Sequence, residues 1–144
     1  METSGYTSPQ ILKACAGCID MFLYDCKETD SENHVKYTGR GNTLIMENLA
    51  ALNEIGANVI LRCPMIPNIN DRQEHFCGIA RLANSFDCIK SIELLPYHPL
   101  GLSKSQQLGE MPEYQETSFL SDDQVSRYAQ IIRCMTDKPV SVSK

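Results

Sequence analysis

An α/β fold built on a parallel sheet is what this 144-residue sequence predicts, and three observations predict it. Apolar runs of strand length alternate with stretches of helical periodicity from one end of the chain to the other. The first full run is apolar on both faces apart from its ends, as in a strand covered on both sides. The length then limits the architecture. Three complete strand-helix units, a helix ahead of them and a strand tail at the first residues cannot close an eight-unit barrel, which takes about 250 residues. The chain is an open sheet or a piece of a barrel.

Each element has a local reason. Met1 to Gly5 reads as the tail of a strand, and Ser8-Pro9 supplies an N-cap with proline at the first helical position. The short helix that follows carries Ile11, Leu12 and Cys15 on one face. Ile19 to Asp25 is the first full strand, and the polar stretch Glu28 to Asn42 reads as a long loop of the kind that carries function. The next helix, Thr43 to Ile55, puts Ile45, Leu49 and Leu52 on its core face and stops at Gly56. Asn58 to Cys63 is the second strand, ended by Pro64 and Pro67. Asp71 with Glu74 imitates a capping box for a helix buried along Phe76, Ile79, Ala80, Ala83 and Phe86. Ile89 to Leu95 is a strand stopped by Pro96, and Tyr97 to Leu120 is an irregular stretch. Ser121 and Gln124 start a last helix carrying Val125, Tyr128, Ile132 and Met135, and Pro139 to Val142 adds a short strand.

Composition removes whole classes of function. With 42% hydrophobic and 22% charged residues the chain folds rather than staying disordered. No run approaches the roughly 20 apolar residues of a membrane span. The first residues carry no basic stretch or apolar core of a signal peptide, so a cytoplasmic location is expected. Thirteen basic residues scattered through a chain of net charge -5 form no nucleic-acid footprint. The seven cysteines (15, 18, 26, 63, 77, 88 and 134) are read as reduced thiols packed as small hydrophobes.

Ligands in parallel sheets and barrels sit beyond the carboxyl ends of the strands. Those ends carry Glu2 and Thr3, then Asp25 and Lys27, then Arg62, then Glu93 and His98. Asp25 and Lys27, two residues apart, share a face. Any one of these groups is ordinary as a solvated charge. Four successive strand ends bearing both charge signs point to a shared polar, zwitterionic ligand.

The same residues carry a resemblance. Glu2-Thr3-Ser4-Gly5, Phe22 through Lys27, His34 with Thr38-Gly39 and Asn42, Arg62-Cys63-Pro64 through Pro67 to Asn70-Asp71, and Glu93 through His98 with Gly101 follow one another in a characteristic order and spacing. In this the sequence resembles the glycyl-radical-enzyme activating enzymes, radical S-adenosylmethionine (SAM) proteins whose type member activates pyruvate formate-lyase. The resemblance covers nearly the whole chain. It implies a partial TIM-type (β/α)6 radical SAM barrel, C-terminal half only, with residues 1–144 forming one part of that domain.

It also implies roles. Glu2, Thr3 and Asp25 would lie near the methionine moiety of SAM and a monovalent cation. Lys27 and Arg62 would meet the SAM carboxylate or its polar surroundings, and His98 the ribose or adenosine side. The implied cofactors are SAM and a 4Fe-4S cluster that cleaves it. The resulting 5′-deoxyadenosyl radical takes a hydrogen from a backbone glycine of a glycyl radical enzyme, with flavodoxin or ferredoxin as electron donor. The cofactor carries this chemistry, so no general acid, base or nucleophile is expected among these residues.

Two departures shape the expectation. The Cys-x3-Cys-x2-Cys loop that holds the cluster is missing, as is the Gly-Gly-Glu-like turn for the SAM amino group. Cys15 and Cys18 have x2 spacing without a third cysteine upstream. The chain is therefore expected to be the C-terminal part of a longer enzyme, inactive alone, with an open edge prone to self-association. Asn68 stands where the family usually has glycine, and asparagine tolerates a left-handed backbone there. A stand-alone, non-catalytic α/β binding domain, or a barrel enzyme using Lys27 as a Schiff-base amine, are the alternatives.

Overall fold

The computed structural model describes residues 1–97 and 120–143. Five parallel strands form one sheet: β1 (Glu2–Thr3), β2 (Phe22–Asp25), β3 (Val59–Met65), β4 (Ile89–Pro96) and β5 (Val140–Val142), in spatial order β1-β2-β3-β4-β5. The helices are α1 (Pro9–Ala16), α2 (Ser31–Thr38), α3 (Thr43–Glu54), α4 (Gln73–Ser85) and α5 (Asp122–Arg133). Spatial order follows chain order without reversal. Crossovers of one hand then put the described helices on one face of the sheet, as in a barrel wall, whereas a doubly wound sheet reverses its order at a switch point.

Burial follows the strand period. Phe22, Tyr24 and Cys26 on one run, Val59, Leu61, Cys63 and Met65 on the next, and Ile89, Ile92 and Leu94 on β4 are all buried against the helices. The alternate residues Leu23, Asp25, Ile60, Arg62, Pro64, Ser91, Glu93 and Leu95 are only half-buried. The expectation of coverage on both faces is corrected here: among the described residues the helices cover one face, and the other is open. Register slips once, from Val59↔Ile89 to Ile60↔Ser91. The extra residue, Lys90, is the reason Ile89 and Ile92 both face the helices.

The core is completed by Leu12 of α1, Ile45, Leu49 and Leu52 of α3, Phe76, Ile79 and Ala83 of α4, and Val125, Tyr128, Ala129 and Ile132 of α5. The Phe76 and Tyr128 rings stack at 5.1 Å, locking α4 to α5. Ser121 and Gln124 form the predicted capping box, and Gly56 (φ 67°) ends α3 as predicted.

Four local expectations change. The stretch read as a loop after β2 contains α2, capped by the Asp30 carboxylate on the Asn33 amide and closed by Gly39 at φ 73°. Asp71 caps nothing; α4 starts two residues later, and the Asp71 carboxylate accepts the Tyr128 hydroxyl at 3.0 Å. β3 runs through Pro64 to Met65. Ile11 and Cys18 are exposed, because α1 packs through Leu12 and ends at Ala16.

Candidate functional site at the strand ends

Sheet register sets the charged row. Asp25 is aligned with Arg62, and Arg62 with Glu93, so three strands present these side chains on the open face at one level. Arg62 is the hub. Its Nη1 donates to Glu2 at 2.8 Å, and its Nε lies 3.7 Å from Glu93, near enough for charge attraction and too far for a hydrogen bond. Hydrogen bonding to Glu2 raises the guanidinium's already high pKa against a desolvation penalty, with Asp25 and Glu93 adding to the rise. Lys27 Nζ donates to Asp25 Oδ2 at 2.9 Å.

Two buried atoms in this row make no hydrogen bond among the described residues: Asp25 Oδ1, an acceptor, and Arg62 Nε, a donor. Polar atoms taken from water without a partner are costly, and these two, an acceptor and a donor, belong to residues aligned on adjacent strands. Thr3 Oγ1 accepts the Gly5 amide at 3.0 Å and so shapes the turn after β1. A small cleft of about 150 Å³ opens next to Asp25 and Lys27, bounded by Ser4, His34 and Thr38. The sequence-predicted Glu2, Asp25, Lys27 and Arg62 are thus brought together, with Thr3 beside them in the β1 turn. His98 lies outside the described residues.

Behind the row is a buried layer that sequence reading missed. Glu28, 2% exposed, accepts from Arg72 Nη2 at 2.7 Å and from the amides of Thr29 and Asp30 at 2.8 and 3.0 Å, with His75 Nδ1 at 3.2 Å. Burial alone would raise its pKa; hydrogen bonds from His75, the Asp30 amide and Arg72 outweigh it and hold the carboxyl down to about 2. His34 Nδ1 donates to the Arg40 carbonyl at 2.6 Å, pinning the end of α2. Glu28 immediately follows the Asp-x-Lys triplet. That adjacency was its signal in the sequence, whereas His75 and Arg72 lie in a helical pattern that gave none.

The cysteines do not assemble. Among the described residues no three His, Cys, Asp or Glu side chains are grouped to hold a metal ion. Burial, then the neighbouring Cys26, push the Cys63 thiol well above its ordinary range, the opposite of what a thiolate ligand needs. The described residues therefore do not fit an iron-sulfur cluster. They do fit an amino-acid zwitterion, for which the row offers both an unpartnered acceptor and an unpartnered donor.

No family model matches the sequence. Curated relatives do. The chain is 37% identical over 145 residues to the choline trimethylamine-lyase activating enzyme of Oleidesulfovibrio alaskensis, covering 99% of this chain and 46% of the relative. It is 32% identical over 127 residues to the trans-4-hydroxy-L-proline dehydratase activating enzyme of Clostridioides difficile (87% and 42%). It is 34% identical over 110 residues to the pyruvate formate-lyase-activating enzyme of Staphylococcus epidermidis (76% and 43%). The chain thus spans somewhat less than half the length of the curated relatives it matches. In fold it resembles the crystal structure of a domain of pyruvate-formate lyase-activating enzyme from Bacteroides vulgatus, with a TM-score of 0.78 at 19% identity over 99% of this chain and 79% of that one. A radical SAM methyltransferase from Sphaerobacter thermophilus aligns with a TM-score of 0.67 at 18% identity, over 99% of this chain and 39% of that one. By sequence, and with an α/β sheet to match, the chain is a homologue of the glycyl-radical-enzyme activating enzymes over a little under half of their length.

Proposed function

We propose that the chain is the C-terminal part of a radical SAM barrel and that its open sheet face binds the amino-acid end of SAM. In this reading Asp25 Oδ1 accepts from the SAM ammonium, Arg62 and Lys27 face its carboxylate, and Glu2 and Thr3 complete the polar rim. His98 is assigned to the nucleoside side on the sequence resemblance alone. The carrying observation is the pair of unpartnered buried atoms, Asp25 Oδ1 and Arg62 Nε, in one strand-end row. Bound SAM supplies the radical chemistry; the residues here orient it, neutralise its charges and exclude water from them.

The partner is a glycyl radical enzyme, as the names of the relatives suggest by extension, and flavodoxin or ferredoxin is the electron donor. The cluster ligands come from outside these residues, and the site is complete only with the missing strands of the barrel. Residues 1–144 belong to one domain whose β1 edge, with a strand partner on one side only among the described residues, favours self-association when the chain is isolated. A cytoplasmic location goes with this reading; no helix among the described residues is long and apolar enough to cross a membrane.

Equilibrium binding of SAM tests the assignment, on a longer polypeptide that restores the preceding half of the barrel and carries the changes singly. Asp25→Asn and Arg62→Met should each weaken binding about tenfold or more, since each removes a charge-assisted bond. Wild-type affinity in both variants would remove SAM from this face.

A further inference from the structure

Three asparagines are buried, and each directs its side-chain amide at the main chain of a loop that follows a strand. Asn48 donates to the carbonyls of Gly5 and Thr7 at 2.7 and 2.8 Å, past β1. Asn42 reaches the carbonyls of Glu28 and Thr29 at 3.4 and 3.3 Å, past β2. Asn70, 1% exposed, donates to the carbonyls of Lys27 and Pro64 at 3.0 and 2.7 Å while its Oδ1 accepts the Ile66 amide at 2.7 Å. Asn70 alone of the three spans two strand ends.

The reason lies in the β2-β3 ladder. Its last rung is the Cys26 amide on the Arg62 carbonyl at 2.7 Å. The next rung in a parallel ladder would come from the amide of residue 64, and Pro64 has none. From that point the two strands have no main-chain bond to hold them, directly where Lys27 and Arg62 must keep their spacing. Both hydrogens of the Asn70 amide fill the gap, one to each strand. The same loop then supplies Arg72 to Glu28, so Lys27 is gripped at its own carbonyl and at the next side chain.

We propose that Asn70 is a positioning residue: it replaces the rung lost at Pro64 and thereby sets the separation of the Asp25-Lys27 pair from Arg62, the width of the SAM amino-acid subsite. The proposal rests on the SAM reading for its ligand and on the hydrogen bonds for its geometry. Asn70 touches no ligand. It acts through the main chain of Lys27 and Pro64.

The test compares Asn70→Asp, which keeps the size and the acceptor toward Ile66 but removes both donors, with Asn70→Ser, which removes the bridge. Reductive methylation of the lysines, read by mass spectrometry, should show Lys27 changed about threefold or more in both variants while Lys13 and Lys90 in the same samples keep their rates. In the longer polypeptide, SAM affinity should fall about tenfold. As pH is lowered the carboxyl introduced by N70D gains a proton and can donate to one of the two carbonyls, so its Lys27 rate, relative to wild type at the same pH, returns part of the way toward one; that of N70S does not. Folded variants with lower thermal midpoints but wild-type Lys27 reactivity and SAM affinity would reduce Asn70 to a structural role and overturn the proposal. Should both variants fail to fold, exchange of the Asn70 side-chain amide in the wild type decides: slow exchange of both hydrogens is expected, and fast exchange overturns it. If wild-type protein binds no SAM, the ligand reading fails while the Lys27 result still judges Asn70.

Discussion

Arg62, half-buried on β3, and Glu28, buried in the loop after β2, are neighbouring charges that serve different ends. Arg62 faces three carboxylates and keeps a donor free, which suits a ligand. Glu28 has every contact filled and serves stability. Replacing it with glutamine leaves Arg72 and His75 without their anion and should cost about 3 kcal/mol in a denaturation experiment. Its pH signature follows from the sign of the shift. The folded carboxyl lies at about 2, below its ordinary 4.5, so the stabilisation is present above the ordinary value and is lost as pH falls from there toward 2. The whole swing is about 3 kcal/mol. Unfolding midpoints measured between pH 6 and pH 2.5 should converge for wild type and Glu28→Gln; parallel curves would show that Glu28 is not held by these partners.

At the scale of elements, punctuation rather than periodicity decides α2. Its sequence Ser31–Thr38 has only Val35 and Tyr37 as apolar residues, both exposed, so no amphipathic stripe exists to read. Asp30 before it and Gly39 after it were the legible signals, a cap and a left-handed stop with eight residues between them. The turn after β1 depends on Gly5 in a similar way. Its φ is 72°, and a Cβ there would run into the Tyr24 hydroxyl, which donates to the Ile45 carbonyl at 2.7 Å. Gly5→Ala should therefore lower stability by about 3 kcal/mol or more, combining a disfavoured backbone with a displaced buried tyrosine. Loss of a few tenths only, by urea titration, would mean that the turn reorganises freely. Ser121→Ala, which breaks the capping box of α5, should cost about 1 kcal/mol by the same measurement.

At the scale of the molecule, the open face and the β1 edge belong together. The chain-order sheet leaves β1 with a partner on one side among the described residues, and Met1 just before that strand, Tyr6 in the turn after it and Ile11 on the helix that follows are 44%, 48% and 58% exposed. Unpaired strand edges with apolar neighbours associate. Sedimentation of the isolated chain should show concentration-dependent self-association that Ile11→Lys weakens; an ideal monomer at all concentrations would count against the edge as the cause.

The sequence by itself determined the α/β class, the strands and four of the five described helices, because strand runs and helical stripes are local patterns. It also marked Glu2, Asp25, Lys27 and Arg62, since charges at the ends of apolar runs are visible without a fold, and the left-handed turn at Asn68, which has φ 60°. Tertiary structure alone decided the rest. Register put Asp25, Arg62 and Glu93 level, and a one-residue slip would have turned them away from one another. Partners distant in the chain, Arg72 and His75 for Glu28 and Tyr128 for Asp71, converted apparent loop charges and a cap into buried contacts. Asn70 had no meaning until Pro64 and Lys27 were adjacent, because a missing rung exists only between two strands.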